Sequence, residues 1–428
     1  MNELKKGKRI RLTDGTSAEV LSQLGQGAQG TVYKVRRDGR EYALKWYLRE
    51  PSEAFYENLQ KNASHPSPSP SFLWPLAVTE RTEGSAGYLM ELIPKGYHDL
   101  GAFLLGRVQF TSFDRIVRAA LGLCNAFQKL HREGYSYQDI NDGNIVIHPT
   151  TGDVLIVDND NVSTNNTNFG IRGKSRYMAA EIIGGGMPNI ESDLMSLAIL
   201  LYRLFMVDHP FEGQMILRIP CMTEEYERRF YGHEAVFCHD PSNAVNRPHP
   251  DIHRNSVLRW ELMPRQLREA FCQAFSREAI ENPGRRMRER QWKDILVGVR
   301  ALLVVCPKGG RGGRRHDFLP SDLHEAETCP LCGAKVAVRV PLRFRDGTPY
   351  ILTPGKDLYL EDSLTPSGEC CIYQSASGKE PGLKNTSGVS WALLTPGGRI
   401  REVRHGEVCP LRGGMQICFS SKITCNVS

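Results

Sequence analysis

Asp139, Asn144 and Asp158 are the residues of this 428-residue chain whose types and spacing best suit chemistry. The first two stand in Tyr137-Gln138-Asp139-Ile140-Asn141-Asp142-Gly143-Asn144, and the third ends an apolar run in Leu155-Ile156-Val157-Asp158-Asn159-Asp160. A carboxylate able to take a hydroxyl proton, beside an amide and a second carboxylate that offer hard oxygens to Mg²⁺ or Mn²⁺, is the equipment of phosphoryl transfer. Upstream, Leu24-Gly25-Gln26-Gly27-Ala28-Gln29-Gly30-Thr31-Val32 is rich in glycine, and Lys45 ends the apolar Ala43-Leu44-Lys45. Gly25, Gly27 and Gly30 lack a Cβ, so their backbone can approach phosphates closely, and Lys45 offers those phosphates a point charge. Singly, a glycine cluster is more often a turn and a lysine after apolar residues a strand end at the surface. Five elements in this order predict transfer of a phosphoryl group.

The elements that must hold these residues are legible more coarsely. Strands are expected around 18–35 and 42–48, then a helix, a Pro/Ser loop at 64–71 and strands to residue 92. From Thr111 the apolar residues Ile116, Val117, Ala120, Leu121, Leu123, Cys124, Phe127 and Leu130 recur with the 3.6-residue period of a buried helix. Asp193 stands before a second apolar helix running to Val207. Between Phe211 and Pro264 the chain is rich in His, Pro and Asn, which predicts an irregular insertion.

On these motifs, residues 13–302 resemble a eukaryotic-type protein kinase domain, as in bacterial Hanks-type Ser/Thr kinases. The resemblance implies an α+β, bilobal kinase-like fold over 1–305, with lobes at about 13–93 and 94–305. It implies ATP as substrate, bound under the glycine loop and Val32 and along Met90, Glu91 and Ile93, where the family has its gatekeeper and adenine-binding hinge. Asp139, Lys45, Asn144 and Asp158 become the catalytic set, with Asn144 and Asp158 as the Mg²⁺ ligands. Lys45 needs an acid to fix it, and Glu57 is the choice, two turns before the breaker run His65-Pro66, with Glu53 one turn earlier as the alternative. Glu181 ends the activation segment, with Arg286 as its buried ion-pair partner, and Asp193 anchors the backbone of the catalytic loop.

Departures from the family carry information too. Gln138 replaces the arginine that would bind an activation-loop phosphate, which predicts activity without loop phosphorylation. Asn159 and Asp160 replace the apolar switch residue and glycine hinge after the metal ligand, so an in-out flip of the segment is not expected. Asn141 stands where Ser/Thr kinases place a lysine that touches the γ-phosphate. Small-molecule kinases of the aminoglycoside or choline type share the Asp and Asn loop but lack the Glu181, Asp193 and Arg286 set. A pseudokinase would have lost one of the four catalytic residues.

Hydrophobic residues make up 40% of the chain and charged residues 24%, with net charge +6, which suits a soluble globular protein. The basic run Arg311-Gly312-Gly313-Arg314-Arg315 reads as a solvated linker before a nucleic-acid contact. Neither a signal segment nor a membrane span is expected, and ATP chemistry predicts a cytoplasmic setting with the 12 cysteines reduced. Beyond Val305 the text changes. Cys306 and the pair in Cys329-Pro330-Leu331-Cys332-Gly333 resemble a damaged zinc ribbon over 306–336, with His316, or alternatively His324, completing a structural Cys₃His site for Zn²⁺. Turns every 8 to 15 residues from 337 to 428 predict a β-sandwich, and parts of it resemble a degenerate forkhead-associated domain. The whole architecture resembles the kinase of phosphorylation systems, some linked with tellurite resistance, that pair it with a von Willebrand A-type protein and a metal-dependent phosphatase. The implied partners are proteins, without nucleic acid or membrane.

Overall fold

The computed structural model describes residues 3–82, 84–170, 173–309, 315–320 and 328–428. His324 and the basic residues at 311–314 lie outside the described residues.

A six-stranded antiparallel sheet opens the chain, built from β1 (Arg9–Arg11), β2 (Ser17–Gln26), β3 (Gly30–Arg37), β4 (Arg40–Tyr47), β5 (Ala77–Val78) and β6 (Gly87–Met90) in the order β1-β2-β3-β4-β6-β5. The alternation of β3, with Tyr33 and Val35 inward, sends one face into a core with Leu44, Trp46 and Leu89. On the other face Val32, Ala43 and Met90 pack with Phe55, Tyr56 and Leu59 of helix α1 (Glu53–Ala63). Ser52 starts α1 by accepting the Phe55 N–H at 3.3 Å.

The second lobe is mostly helical. Helix α2 (Leu100–Leu104) leads to α3 (Phe113–Arg132), which buries Val117, Ala120, Leu121, Leu123, Cys124, Phe127 and Leu130 of the predicted stripe and half-buries Ile116. Helix α4 (Ala180–Ile183) is short, and α5 (Ile190–Met206) is buried along almost its whole length. That helix begins earlier than the apolar run alone suggests, because Asn189 caps it by accepting the Ser192 N–H at 2.8 Å while Ser192 Oγ accepts the Asn189 N–H at 2.9 Å. The 212–264 stretch holds short helices, including Arg254–Leu262, joined by turns. Helix Glu289–Leu302 then packs against α3.

After this helix, Val304–Val305 pairs with Asp317–Phe318, and Thr328 bridges Lys335. Ten further strands between residues 340 and 427 form one six-stranded and one four-stranded sheet around a shared core containing Leu352, Leu383, Trp391, Leu393 and Ile417.

This tail is seated against the kinase-like lobe by buried polar contacts. Lys356 Nζ, itself buried, donates to the carbonyls of Ala301, Leu303 and Ile351 at 2.6 to 2.8 Å, closing the carboxyl end of the helix Glu289–Leu302. Burial drives the Lys356 pKa well below the usual lysine range. Buried Arg300 donates to the carbonyls of Ser363 and Glu361 at 2.9 and 3.0 Å, with its guanidinium 4.1 Å from the centre of the Tyr359 ring. Asp317 accepts the N–H groups of Phe113 and Asp114 at 2.7 and 2.6 Å and so caps α3 from a strand some two hundred residues away.

Candidate active site

The catalytic loop follows α3, and its backbone is fixed from below. Asp193, on α5, accepts the N–H of Tyr137 at 2.5 Å and of Gln138 at 3.0 Å. His131 bridges Asp193, at 3.2 Å, and Glu289. Burial opposes a charge on this imidazole, yet the hydrogen bonds it donates to both carboxylates raise its pKa to about 9. Tyr137, at the head of the loop, donates through its hydroxyl to the Val157 carbonyl, tying the loop to the segment before Asp158.

Asp139 is gripped by two amides. Asn144 Nδ2 donates to its Oδ2 and main-chain oxygen at 3.0 Å each, and Asn141 Nδ2 donates to Oδ1 and the same main-chain oxygen at 2.9 Å each. Burial, aided by the negative charge of Asp158, pushes the Asp139 carboxyl up to about 6 against these amide bonds and the cation of Lys174. That range suits a general base near neutral pH. Asp158 has φ of 60° and ψ of 50°, the left-handed region that aspartate tolerates better than most residues. The next residue, Asn159, is buried and donates to the carbonyls of Leu73 at 2.8 Å and Ile156 at 3.0 Å. The side chain at the switch position is therefore held by polar bonds on two sides.

Lys45 lies 2.6 Å from Asp158 Oδ1, 2.7 Å from Asp160 Oδ2 and 3.2 Å from Gln29 Oε1 at the tip of the glycine loop. Burial opposes its charge, but the carboxylates of Asp160 and Asp158 more than compensate and hold its pKa above the usual lysine value. Asp160 is fully buried, and its Oδ2 also accepts the Tyr47 hydroxyl at 2.6 Å. The expectation for Glu57 is thus corrected. Glu57 is exposed on the outer face of α1, and Asp160 stands in its place as the acid that fixes Lys45. Glu53 pairs with Arg81 at 2.9 Å instead. Helix α1 is tied to the segment after Asp160 by neutral bonds, Asn58 and Asn62 both donating to the Val162 carbonyl at 2.9 and 2.8 Å. The signal was present in the sequence as the acid two positions after Asp158, but only the fold shows which way it points.

Gly25 and Gly27 border open space, as a phosphate-facing loop requires, whereas Gly30 is buried. A Cβ there would come within 2.6 Å of the Trp46 carbonyl, so Gly30 serves the contact of β3 with β4. Val32 and Met90 sit in one apolar cluster below the sheet. Ile93 is exposed, and the Glu91 side chain pairs with Arg40 at 2.9 Å. At the end of the activation segment Arg286 meets Glu181 through two bonds of 2.7 Å and also donates to the Glu191 carbonyl at 2.8 Å. Gln138, the residue in the arginine position, reaches Ser136 Oγ, Ser163 Oγ and the Thr167 carbonyl at 3.1, 2.6 and 2.5 Å.

Away from the cleft, Cys306, His316, Cys329 and Cys332 gather their ligand atoms within 4.8 Å of one another. The 304–305 and 317–318 pairing places Cys306 opposite His316, whose carbonyl accepts the Cys306 N–H at 2.8 Å. Gly333, at φ of +68°, lets the knuckle turn back so that its N–H meets the Cys329 carbonyl at 2.8 Å. The 3.5 Å separation of Cys306 and Cys332 Sγ, and 3.7 Å from Cys329 Sγ to His316 Nδ1, are close to the roughly 3.8 Å edge of a tetrahedron with Zn–S bonds of about 2.3 Å.

Residues 18–226 match the family model described as protein kinase domain. Ribosomal protein S6 kinase alpha-1 of Caenorhabditis elegans is 28% identical over 218 residues, 47% of this chain and 26% of that protein. Human ribosomal protein S6 kinase alpha-2 is 26% identical over 218 residues, covering 47% of this chain and 28% of its own length. The Arabidopsis thaliana serine/threonine-protein kinase AtPK1/AtPK6 is 26% identical over 204 residues, 46% of this chain and 43% of the plant protein. The chain therefore spans between a quarter and a half of the length of these relatives. None of the helices of the described residues is long and apolar enough to cross a membrane. The matched region carries the glycine loop, Lys45, the candidate catalytic loop and Asp158, and residues 18–226 are similar to the protein kinase domains of Ser/Thr kinases.

Proposed function

We propose that this protein transfers the γ-phosphoryl group of ATP to Ser or Thr hydroxyls of a protein partner. The observation that carries the reading is the joint placement of Asp139, held by Asn144 and Asn141, and of Asp158, held by Lys45. The hydroxyl oxygen forms a bond to the γ-phosphorus as the bond to the β,γ-bridging oxygen breaks, ADP leaves, and the hydroxyl proton passes to Asp139. Asp158 and the amide oxygen of Asn144 fit Mg²⁺ or Mn²⁺, hard cations that take oxygen ligands and, when bound, neutralise charge on the phosphates. Asn144 Nδ2 is engaged by Asp139, which orients that amide. Lys45 holds the α- and β-phosphates, and Asp160 keeps it in place. Gly25, Gly27, Val32, Met90, Glu91 and Ile93 are assigned to the nucleotide pocket.

The Cys306, His316, Cys329 and Cys332 set fits Zn²⁺, with three thiolates, one imidazole and edge lengths near those of a tetrahedron. Its role is structural. By architecture, the partners are a von Willebrand A-type protein and a metal-dependent phosphatase, with the 337–428 domain, which resembles a degenerate forkhead-associated domain in sequence, as a protein-contact module. The cysteines carry no disulfide among the described residues, which fits a reducing cytoplasm.

The test is incubation of the full chain with labelled ATP and Mg²⁺ or Mn²⁺, using dephosphorylated casein and the chain itself as acceptors, followed by phosphoamino-acid analysis. Label on Ser or Thr that disappears in Asp158→Ala is expected. Label transferred only to an aminoglycoside or choline would replace this reading with the small-molecule one.

A further inference from the structure

If the chain is the kinase proposed above, its catalytic loop lacks a cation. Asn141 occupies the position where Ser/Thr kinases carry the lysine that meets the γ-phosphate, and it cannot lend a charge. Its amide is also fully used within the loop: Nδ2 donates to Asp139 and Oδ1 accepts the Gly143 N–H at 2.9 Å. The negative charge that spreads over the γ-phosphoryl oxygens as the bonds exchange must be met by some other positive group.

One ammonium stands at the edge of this loop, delivered from the activation segment. The backbone of Gly173 lies so close to the catalytic loop that a Cβ there would be 3.2 Å from Asp139 Oδ1 and from the Gln138 carbonyl. The next side chain, Lys174, reaches over Gly143, where a Cβ would meet its Nζ at 3.3 Å, and Gly143 immediately precedes the metal-ligand candidate Asn144. Lys174 lies 2.9 Å from Asp142 Oδ1 and remains 56% exposed, and its charge is felt at Asp139. A plain structural role would make it the counter-ion of Asp142. That carboxylate already has a second cation, Arg203, 3.6 Å from its other oxygen and buried against Tyr177. Lys174 is therefore the less committed of the two.

We propose that Lys174 supplies to the transferring phosphoryl group the positive charge that Asn141 does not carry, so that the chain has moved its catalytic-loop lysine onto the activation segment. In the transfer, the oxygen of the substrate hydroxyl bonds to the γ-phosphorus, ADP departs, the proton goes to Asp139, and Lys174 donates hydrogen bonds to γ-phosphoryl oxygens without taking part in bond making. The lysine would leave Asp142 to Arg203 when nucleotide binds. A further consequence is that ordering of the activation segment itself completes the site.

The test uses the full chain with Mg²⁺, labelled ATP and casein, with thermal melting as a check on folding. Lys174→Met is expected to lower kcat about 100-fold with KM for ATP within about threefold, because the interaction strengthens only as charge develops. Asn141→Lys in the Lys174→Met background is expected to recover at least about tenfold, since it returns the cation from the other strand of the loop. If Lys174 merely neutralised Asp142, Asp142→Asn would do the rescuing and Asn141→Lys would not. A Lys174→Met rate within twofold of the parent, or a loss that Asn141→Lys fails to relieve, overturns the proposal. A parent no more active than Asp158→Ala removes the kinase reading instead, and this inference with it.

Discussion

At the cleft, the carboxylates of Asp158 and Asp160 are already held by the protein's own cation, Lys45, at 2.6 and 2.7 Å; at the cysteine cluster, three sulfurs and a ring nitrogen converge with no side-chain cation among them. The two sites therefore depend on their ions in different ways. In the cleft the scaffold is finished by hydrogen bonds, from Asp193 to the loop backbone and from two asparagines to Asp139, so its geometry survives while nucleotide and metal come and go. In the cluster the core of Val304, Phe318, Ala334, Val336 and Ile351 is small, and on the zinc reading proposed above coordination would supply folding free energy there. On the proposed reading, the exchangeable site is held in shape by protein and the structural site by its metal.

The sharpest way to break the comparison is Asp158→Ala. It should reduce phosphotransfer by at least about 1000-fold while melting within a few degrees of the parent, because the cleft does not need its ion to fold. Collapse of the fold in this variant would place cleft and cluster in one class. Asp160→Ala comes next. It strips Lys45 of its fully buried partner and should lower stability by about 3 kcal/mol in chemical denaturation, with a rise in KM for ATP, whereas Glu57→Ala should leave both unchanged. Third, Cys329→Ser should drop bound zinc from about one equivalent to less than half by elemental analysis. It should also loosen the tail to limited proteolysis while leaving kcat within about threefold, and a metal-free parent of equal stability would end the structural-zinc reading. Fourth, kcat/KM should rise about tenfold per pH unit below pH 6 and level off above it, because a base with a pKa near 6 acts only when deprotonated. Asp139→Asn should abolish this limb, and a profile flat from pH 5 to 8 would assign the proton to another acceptor. The smallest effect is expected from phosphatase treatment, which should leave the rate within about twofold. Gln138 already joins the loop to the activation segment by neutral bonds to Ser163 and Thr167, and a large drop restored by ATP would reveal a phosphate-dependent contact.

The grouping of Asp139, Asn144, Asp158 and Lys45 was legible because the chemistry proposed for them restricts residue type: a proton acceptor, hard oxygens and a lysine leave few substitutes. Arg286 with Glu181 and Asp193 with the loop backbone were legible only through the resemblance to the kinase family, and the structure places both pairs in contact. The partner of Lys45 was not, since Glu57 has the expected spacing on α1 and only the register of that helix turns it to solvent. Cys306, His316, Cys329 and Cys332 were found as a group because thiols and imidazole at knuckle spacing are unusual company. The contacts of Lys356, Arg300 and Asp317 left no such trace. Their acceptors and donors are mostly backbone groups of distant segments, and a backbone carbonyl looks the same under every side chain.

Lys356 carries a consequence for how the chain is made. Its side-chain nitrogen closes the last carbonyls of the helix Glu289–Leu302, so during synthesis that helix leaves the ribosome with its end bare and waits for more than fifty further residues before its cap arrives. Until then the nascent kinase-like lobe exposes an unfinished seam, and a holding chaperone would meet it there. Completion of the helix end and completion of the tail are in this way placed late in translation, together.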